Sequence, residues 1–314
     1  KRLGNICENM IPLPSQATAD ILISGLETDS RRVSSGDLFI ALKGRAADGH
    51  NYIDDAVQKG AAAVIAEHPV KCDTIPVIVH ADARSFLPAL AERYYGNPAA
   101  HMDIIGVTGT NGKTTVSCLI ESIFRGAGKK TGLIGTLFYR WPGREITAER
   151  TTPDVAELRK NLYRMQKAGC DTVVMEVSSH GLYLGRVEGL EFRSAVYTNL
   201  SREHLDFHEN MDTYAEAKAM LFARLSSRGR GVINIDDPYA DIMIQAAGNS
   251  YVTYGKEKGT ADYTITDVSS SPGKTDFRLE HRGRHIVLET PLAGDFNIYN
   301  CTAAAVCSLE TGIT

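Results

Sequence analysis

Three short runs constrain this chain most: DTVVMEVS (171–178), SAVYTN (194–199) and GVINID (231–236). Each is apolar almost without interruption. A strand with one face in water alternates polar and apolar residues, whereas one apolar on both faces belongs inside a parallel sheet covered on both sides. Helix-length segments stand between and beside them: TTVSCLIESIFRGAG (114–128), DVAELRKNLYRMQKAG (154–169) and DTYAEAKAMLFARLSS (212–227). Strand–helix alternation predicts an α/β chain with a doubly wound, mostly parallel sheet.

The same alternation occurs earlier on a smaller scale. DLFIAL (37–42), AAVIA (62–66) and PVIVH (76–80) read as strands, and YIDDAVQKG (52–60) and ARSFLPALAERYYG (83–96) as helices, the second stopped by its glycine. NPAAHM (97–102) reads as a linker, so we expect a small amino-terminal α/β domain over 1–100 and a larger domain over 101–314. From Asp262 to Thr290 the pattern becomes hairpin-like, with HRGRH as a turn. The last residues, CTAAAVCSLETGIT, stop in or just after a helix-like stretch, so the second domain is expected to be incomplete at its carboxyl end.

Composition narrows the function. A net charge of −4 gives no general basic field for nucleic acid. Six scattered cysteines without a C-x-x-C pair read as reduced thiols of a cytoplasmic protein. No apolar run approaches the roughly 20 residues of a membrane span. The chain is read as a monomer.

Chemistry concentrates at a few places. In GVTGTNGKTT (106–115) a strand meets a glycine-rich turn and then a helix, but the spacing is G-x-x-G-K-T rather than the longer common phosphate loop. Backbone N–H groups and the positive helix end would meet at Gly109, Thr110, Asn111, Gly112, Lys113, Thr114 and Thr115. Lys113 would reach a β- or γ-phosphate, and the Thr114 hydroxyl would suit Mg²⁺. Glu176 ends a buried-type strand, where a carboxylate must be paired or hold a metal. His204, Asp206 and His208 cluster after another strand, in a metal, phosphate or structural role. Lys218 reads from spacing as a solvated lysine. Asn297 and Asn300 share a helical face and either read a base edge or cap the helix. The residues alone define an α/β enzyme for a nucleoside triphosphate and Mg²⁺, with the acceptor open.

TGTNGKTT, MEVSSHGL, NLSREHLDFH, YAEAKAMLF and GDFNIYN, in this order, closely resemble the Mur ligases. TDSRRVSSGDLFIALKGRAADGHNYIDDAVQKGAAAVIAE (28–67) and RTTPD (150–154) resemble the branch that adds a diamino acid. Folylpolyglutamate synthetases share the ATP loop but lack that amino-terminal domain. The resemblance implies a UDP-sugar-binding domain, a central ATP-binding domain, and a third, Rossmann-like domain that this chain does not reach. It also implies an ATP-dependent amide ligase of cytoplasmic peptidoglycan precursor synthesis. Its partners would be ATP, UDP-N-acetylmuramoyl-L-Ala-D-Glu and a diamino acid, meso-diaminopimelate or L-lysine. The acceptor carboxylate would become an acyl phosphate that the amine attacks.

Carried onto this sequence, the resemblance makes Lys113, Glu176, His204 and Lys218 catalytic. Thr114 and Glu176 would hold one Mg²⁺ and His204 would help hold a second. Lys218 would be carbamylated, an anion with two oxygens, and so a ligand for a hard cation. Asn297 and Asn300 would lie on the adenine side. Thr28 and Ser30 would lie near the uridine, with Arg45, Ala46 and Ala47 in the neighbouring loop. Thr151, Thr152, Ser178 and Arg186 would touch the muramoyl dipeptide, and Leu184 stands where some members have glutamine. The 314 residues alone are expected to lack ligase activity.

Overall fold

A computed structural model describes residues 1–44, 47–257 and 259–313. It divides into two compact units, Lys1–Pro98 with Asp154–Tyr163, and Ala99–Pro153 with Arg164–Thr314. The first unit holds a four-stranded parallel sheet in sequence order: β1 (Gly25–Glu27), β2 (Asp37–Ala41), β3 (Ala63–Ala66) and β4 (Val77–Val79). Every residue of β2 and β3 is buried, as strands apolar on both faces should be; the exception in composition is Asp37 at the start of β2, whose carboxylate accepts the Ser34 N–H at 2.8 Å. The helix Ala83–Tyr95 lays Leu87, Leu90 and Ala91 on this core and stops at Gly96, whose φ of 83° a glycine accepts readily. Segment 154–163 groups here because Val155 and Ala156 join that core and Lys160 pairs with Glu27.

The second unit is built on an eleven-stranded sheet. Its strands are β5 (Asp103–Thr108), β6 (Thr131–Ile134), β7 (Phe138–Trp141), β8 (Arg144–Thr147), β9 (Thr172–Glu176), β10 (Phe192–Tyr197), β11 (Leu225–Asn234), β12 (Tyr251–Gly255), β13 (Tyr263–Ser271), β14 (Lys274–His281) and β15 (Arg284–Thr290). Their order is β15-β14-β13-β12-β11-β10-β5-β9-β6-β7-β8. The run from β13 to β6 is parallel, and the two outermost strands on each edge are antiparallel. Chain order reverses around β5: β9 lies on one side and the next strand, β10, on the other. A ligand crevice at the carboxyl ends of the strands is expected at such a reversal.

Two stretches differ from the sequence reading. The helix expected over 212–227 runs only over Met211–Ala219, and Leu225 already belongs to β11. Pairing with β10 overrides the helical pattern there: the register slips between Phe192 and Ser194, and Gly229 presses so close that a Cβ would lie 2.6 Å from the Phe192 carbonyl oxygen. The β7–β8 hairpin, turning at Pro142–Gly143, was not anticipated. The HRGRH turn does join β14 to β15. No helix among the described residues is long and apolar enough to cross a membrane.

Candidate active site

The loop after β5 depends on two glycines. Gly109 has φ 147°, and a Cβ there would lie 1.9 Å from Thr198 Oγ1. Gly112, at φ 85°, would drive a Cβ to 2.3 Å from Asn300 Oδ1. Only glycine combines these torsions with that closeness. The helix Lys113–Gly126 then begins, and the N–H groups of Gly112, Lys113, Thr114 and Thr115 have no hydrogen-bond partner among the described residues. Such unpaired donors at a helix start make an anion site. The Thr110 and Asn111 N–H groups are already used, donating to the Asn199 carbonyl (2.8 Å) and to Asn199 Oδ1 (3.0 Å).

Two lysines meet over this loop. Lys113 Nζ donates to the Gly109 and Thr110 carbonyls at 2.8 and 2.7 Å. Lys218, 1% exposed, donates to the same Gly109 carbonyl at 2.8 Å and lies 4.4 Å from the centre of the Tyr214 ring. The solvated lysine suggested by spacing is therefore a buried one. Burial lowers the Lys113 pKa, with Glu176 and Glu203 pulling the other way. Burial, then the neighbouring Lys113 charge, pushes the Lys218 amine well below its usual range.

Glu176 ends β9 with 1% of its surface exposed. It has no ion-pair partner among the described residues. Its Oε1 accepts from Thr114 Oγ1 and the Thr136 N–H, both at 2.9 Å, and its Oε2 accepts from Thr136 Oγ1 at 2.9 Å. The salt-bridged structural alternative is thus not what the fold contains. Gly135 makes room, since a Cβ there would lie 2.5 Å from Oε1. A dry carboxylate beside a threonine hydroxyl is an oxygen donor set that suits a hard cation.

His204 caps the short helix Leu205–His208 with φ 57° and stands exposed, its ring 4.9 Å from that of His180. His208 is buried instead and shares a 2.9 Å hydrogen bond with Ser179 Oγ. Burial, with nearby cationic groups, pushes its pKa down to about 4, so it serves as a neutral packing element.

The residues expected at the muramoyl dipeptide form a connected set. Thr152, fully buried, donates to the Glu176 carbonyl (3.1 Å), and its oxygen accepts the Ser178 N–H (2.9 Å). Ser178 caps the helix Ser179–Tyr183, Arg186 donates to the Thr152 carbonyl (2.8 Å), and Thr151 meets Thr136 (3.1 Å). In the first unit Thr28 is half-buried after β1, Ser30 is buried, and Ala47 is exposed. Arg45 and Ala46 lie outside the described residues.

Asn297 and Asn300 bond to each other at 3.2 Å, and the Asn297 amide also donates to the Ala293 carbonyl at 2.8 Å. Asn300 also lines a pocket of about 300 Å³ with Thr198, Asn199, Asn234, Asp236, Tyr254 and Tyr299, rimmed by Phe296. Sequence reasoning missed these neighbours, and it missed Thr136. The available signal was position, since Thr136, Asn199 and Asp236 all lie just past the carboxyl ends of buried strands, the end at which Glu176 also stands.

The family model of the Mur ligase middle domain matches residues 107–308, and that of the Mur ligase family catalytic domain matches 22–95. The chain belongs to the Mur ligase family. The UDP-N-acetylmuramoyl-L-alanyl-D-glutamate–2,6-diaminopimelate ligase of Geobacillus kaustophilus is 43% identical over 299 residues, which cover 93% of this chain and 60% of that protein. A solved structure of a ligase of the same name has a TM-score of 0.84 at 32% identity, over 100% of this chain and 64% of its own. A MurF ligase from Thermotoga maritima in complex with ADP shares the fold, at 20% identity and a TM-score of 0.66, over 94% of this chain and 65% of its own. The chain thus spans about 60% of the length of the curated relatives it matches.

Proposed function

We propose that this chain supplies the nucleotide and acceptor sites of an ATP-dependent ligase. The enzyme would add a diamino acid to UDP-N-acetylmuramoyl-L-Ala-D-Glu in peptidoglycan precursor synthesis. The observation that carries this reading is the dry Glu176 carboxylate, paired with no cation among the described residues and hydrogen-bonded to Thr114 at the mouth of a loop with four N–H groups open among those residues. The relatives' names make 2,6-diaminopimelate the first amine to test.

In this reading the N–H groups of Gly112 to Thr115 and the Lys113 ammonium hold the phosphate chain. Lys113 leaves its two loop carbonyls for phosphate oxygens. Asn300 and its pocket take the adenine side. The acceptor carboxylate attacks the γ-phosphorus and ADP departs. The amine then attacks the acyl carbon and phosphate leaves. A carboxylate and a triphosphate repel, so most of the work is positioning and charge compensation. Thr114, Glu176, His204 and a carbamylated Lys218 would hold Mg²⁺, which supplies positive charge to the phosphates when bound. The depressed pKa of Lys218 favours the neutral amine that reaction with CO₂ requires. Thr151, Thr152, Ser178 and Arg186 would orient the muramoyl dipeptide, and Thr28, Ser30 and the loop around Ala47 the uridine.

The test is phosphate release by the complete gene product. ATP, Mg²⁺ and UDP-N-acetylmuramoyl-L-Ala-D-Glu are supplied, with meso-diaminopimelate, L-lysine or L-ornithine added in turn. Release that depends on one amine identifies the ligase and its substrate. Folded protein that releases phosphate with none of them refutes the assignment.

A further inference from the structure

We propose that Asn199 is the positioning residue that shapes the phosphate loop. It would engage the Thr110 and Asn111 amides so that only the N–H groups of Gly112 to Thr115 face a phosphate chain. This rests on the reading of Gly109–Thr115 as a nucleotide site.

The geometry is specific to an asparagine. Its Oδ1 accepts the Asn111 N–H at 3.0 Å, and its Nδ2 donates to the Asn111 carbonyl at 3.2 Å. One side-chain amide thus pairs with both backbone groups of one residue, as a neighbouring strand would. Its own carbonyl takes the Thr110 N–H at 2.8 Å. Flanking residues reinforce the grip. Thr198 Oγ1 donates to the Asn111 carbonyl at 2.6 Å, and the Ser201 N–H donates to Thr110 Oγ1 at 3.0 Å. Gly109 permits the approach, because a Cβ there would also lie 3.1–3.2 Å from Asn199 backbone atoms. Aspartate would keep the acceptor, but it would set a second oxygen against the Asn111 carbonyl and place a negative charge beside an anion site. Alanine would free the Asn111 N–H to turn toward the ligand and leave the Asn111 carbonyl to Thr198 alone.

The test uses the complete enzyme and calorimetric titration with ADP and with AMP, which lacks the β-phosphate that such loops cradle. Wild type should prefer ADP, and Lys113→Ala should lose that preference. Asn199 also borders the pocket given to adenine, so the readout is the difference between the ligands: Asn199→Ala should weaken ADP binding about tenfold more than AMP binding, with an unchanged melting temperature. Asn199→Asp should weaken ADP more. A purely structural asparagine would move both ligands together or neither. An ADP affinity of Asn199→Ala within twofold of wild type overturns the proposal while leaving the nucleotide reading intact. A wild type that does not prefer ADP overturns both. Independently of any variant, hydrogen exchange should show the Asn111 amide protected in the unliganded enzyme, and rapid exchange there would overturn the clamp.

Discussion

The two units contain two ways of ending a parallel sheet. In the first, the strands follow one another in sequence order and charge is settled locally. Glu27 is paired with Lys160, Arg159 with Glu92 at 3.0 Å, and Arg32 with Glu157 at 2.9 Å. In the second, the order reverses around β5. There Glu176 and Lys218 are buried and Lys113 is half-buried, with no ion-pair partner among the described residues. Unpaired buried charge costs stability. A fold keeps such charge where a ligand completes the set, and on that ground the candidate site is assigned to the second sheet.

This contrast can be broken by substitution. Lys113→Ala in the complete enzyme should reduce phosphate release about a thousandfold or more, with the fold retained by circular dichroism. Near-normal turnover would remove the loop from the mechanism. Lys160→Met should cost about 3 kcal/mol in urea unfolding, because it strands the Glu27 carboxylate in the core. Burial already raises the Glu27 pKa despite Lys160. A carboxyl whose folded pKa lies above its unfolded value binds its proton more tightly when folded. The deficit of Lys160→Met should therefore shrink as the pH falls through that raised pKa. A deficit constant from pH 7 to pH 4 would argue against a stranded charge. Gly112→Ala should cost about 2 kcal/mol through its torsion and the Asn300 collision. Lys218→Met, by contrast, should leave stability unchanged or raise it by up to about 1 kcal/mol, since it removes a buried amine with no counter-ion among the described residues. A clear loss of stability would show that the second unit settles its charges as the first does.

Much of this was readable beforehand. The run 171–178 contains β9 and the run 194–199 overlaps β10 from Ser194 to Tyr197, and the strand–glycine–helix order located the turn into the helix Lys113–Gly126, because burial on both faces and helix-start chemistry are local signals. Lys218 was not readable from spacing. The helix that carries it is short, and its burial depends on Gly109, more than a hundred residues away. Thr136 and Asn199 offered only their place after strand ends, since each gains its role from a partner on another strand end. The strand start at Leu225 required knowledge of the β10 register, which no local pattern contains.

Gly112 and Asn300 leave one further consequence. The room that the glycine gives is filled by an amide from the helix Asp295–Glu310, which enters the chain roughly 190 residues later, a separation typical of slow, late-forming contacts. During synthesis the loop emerges long before the part that completes its wall. On the proposed reading of this loop, full affinity for nucleotide should appear only after the helix has docked.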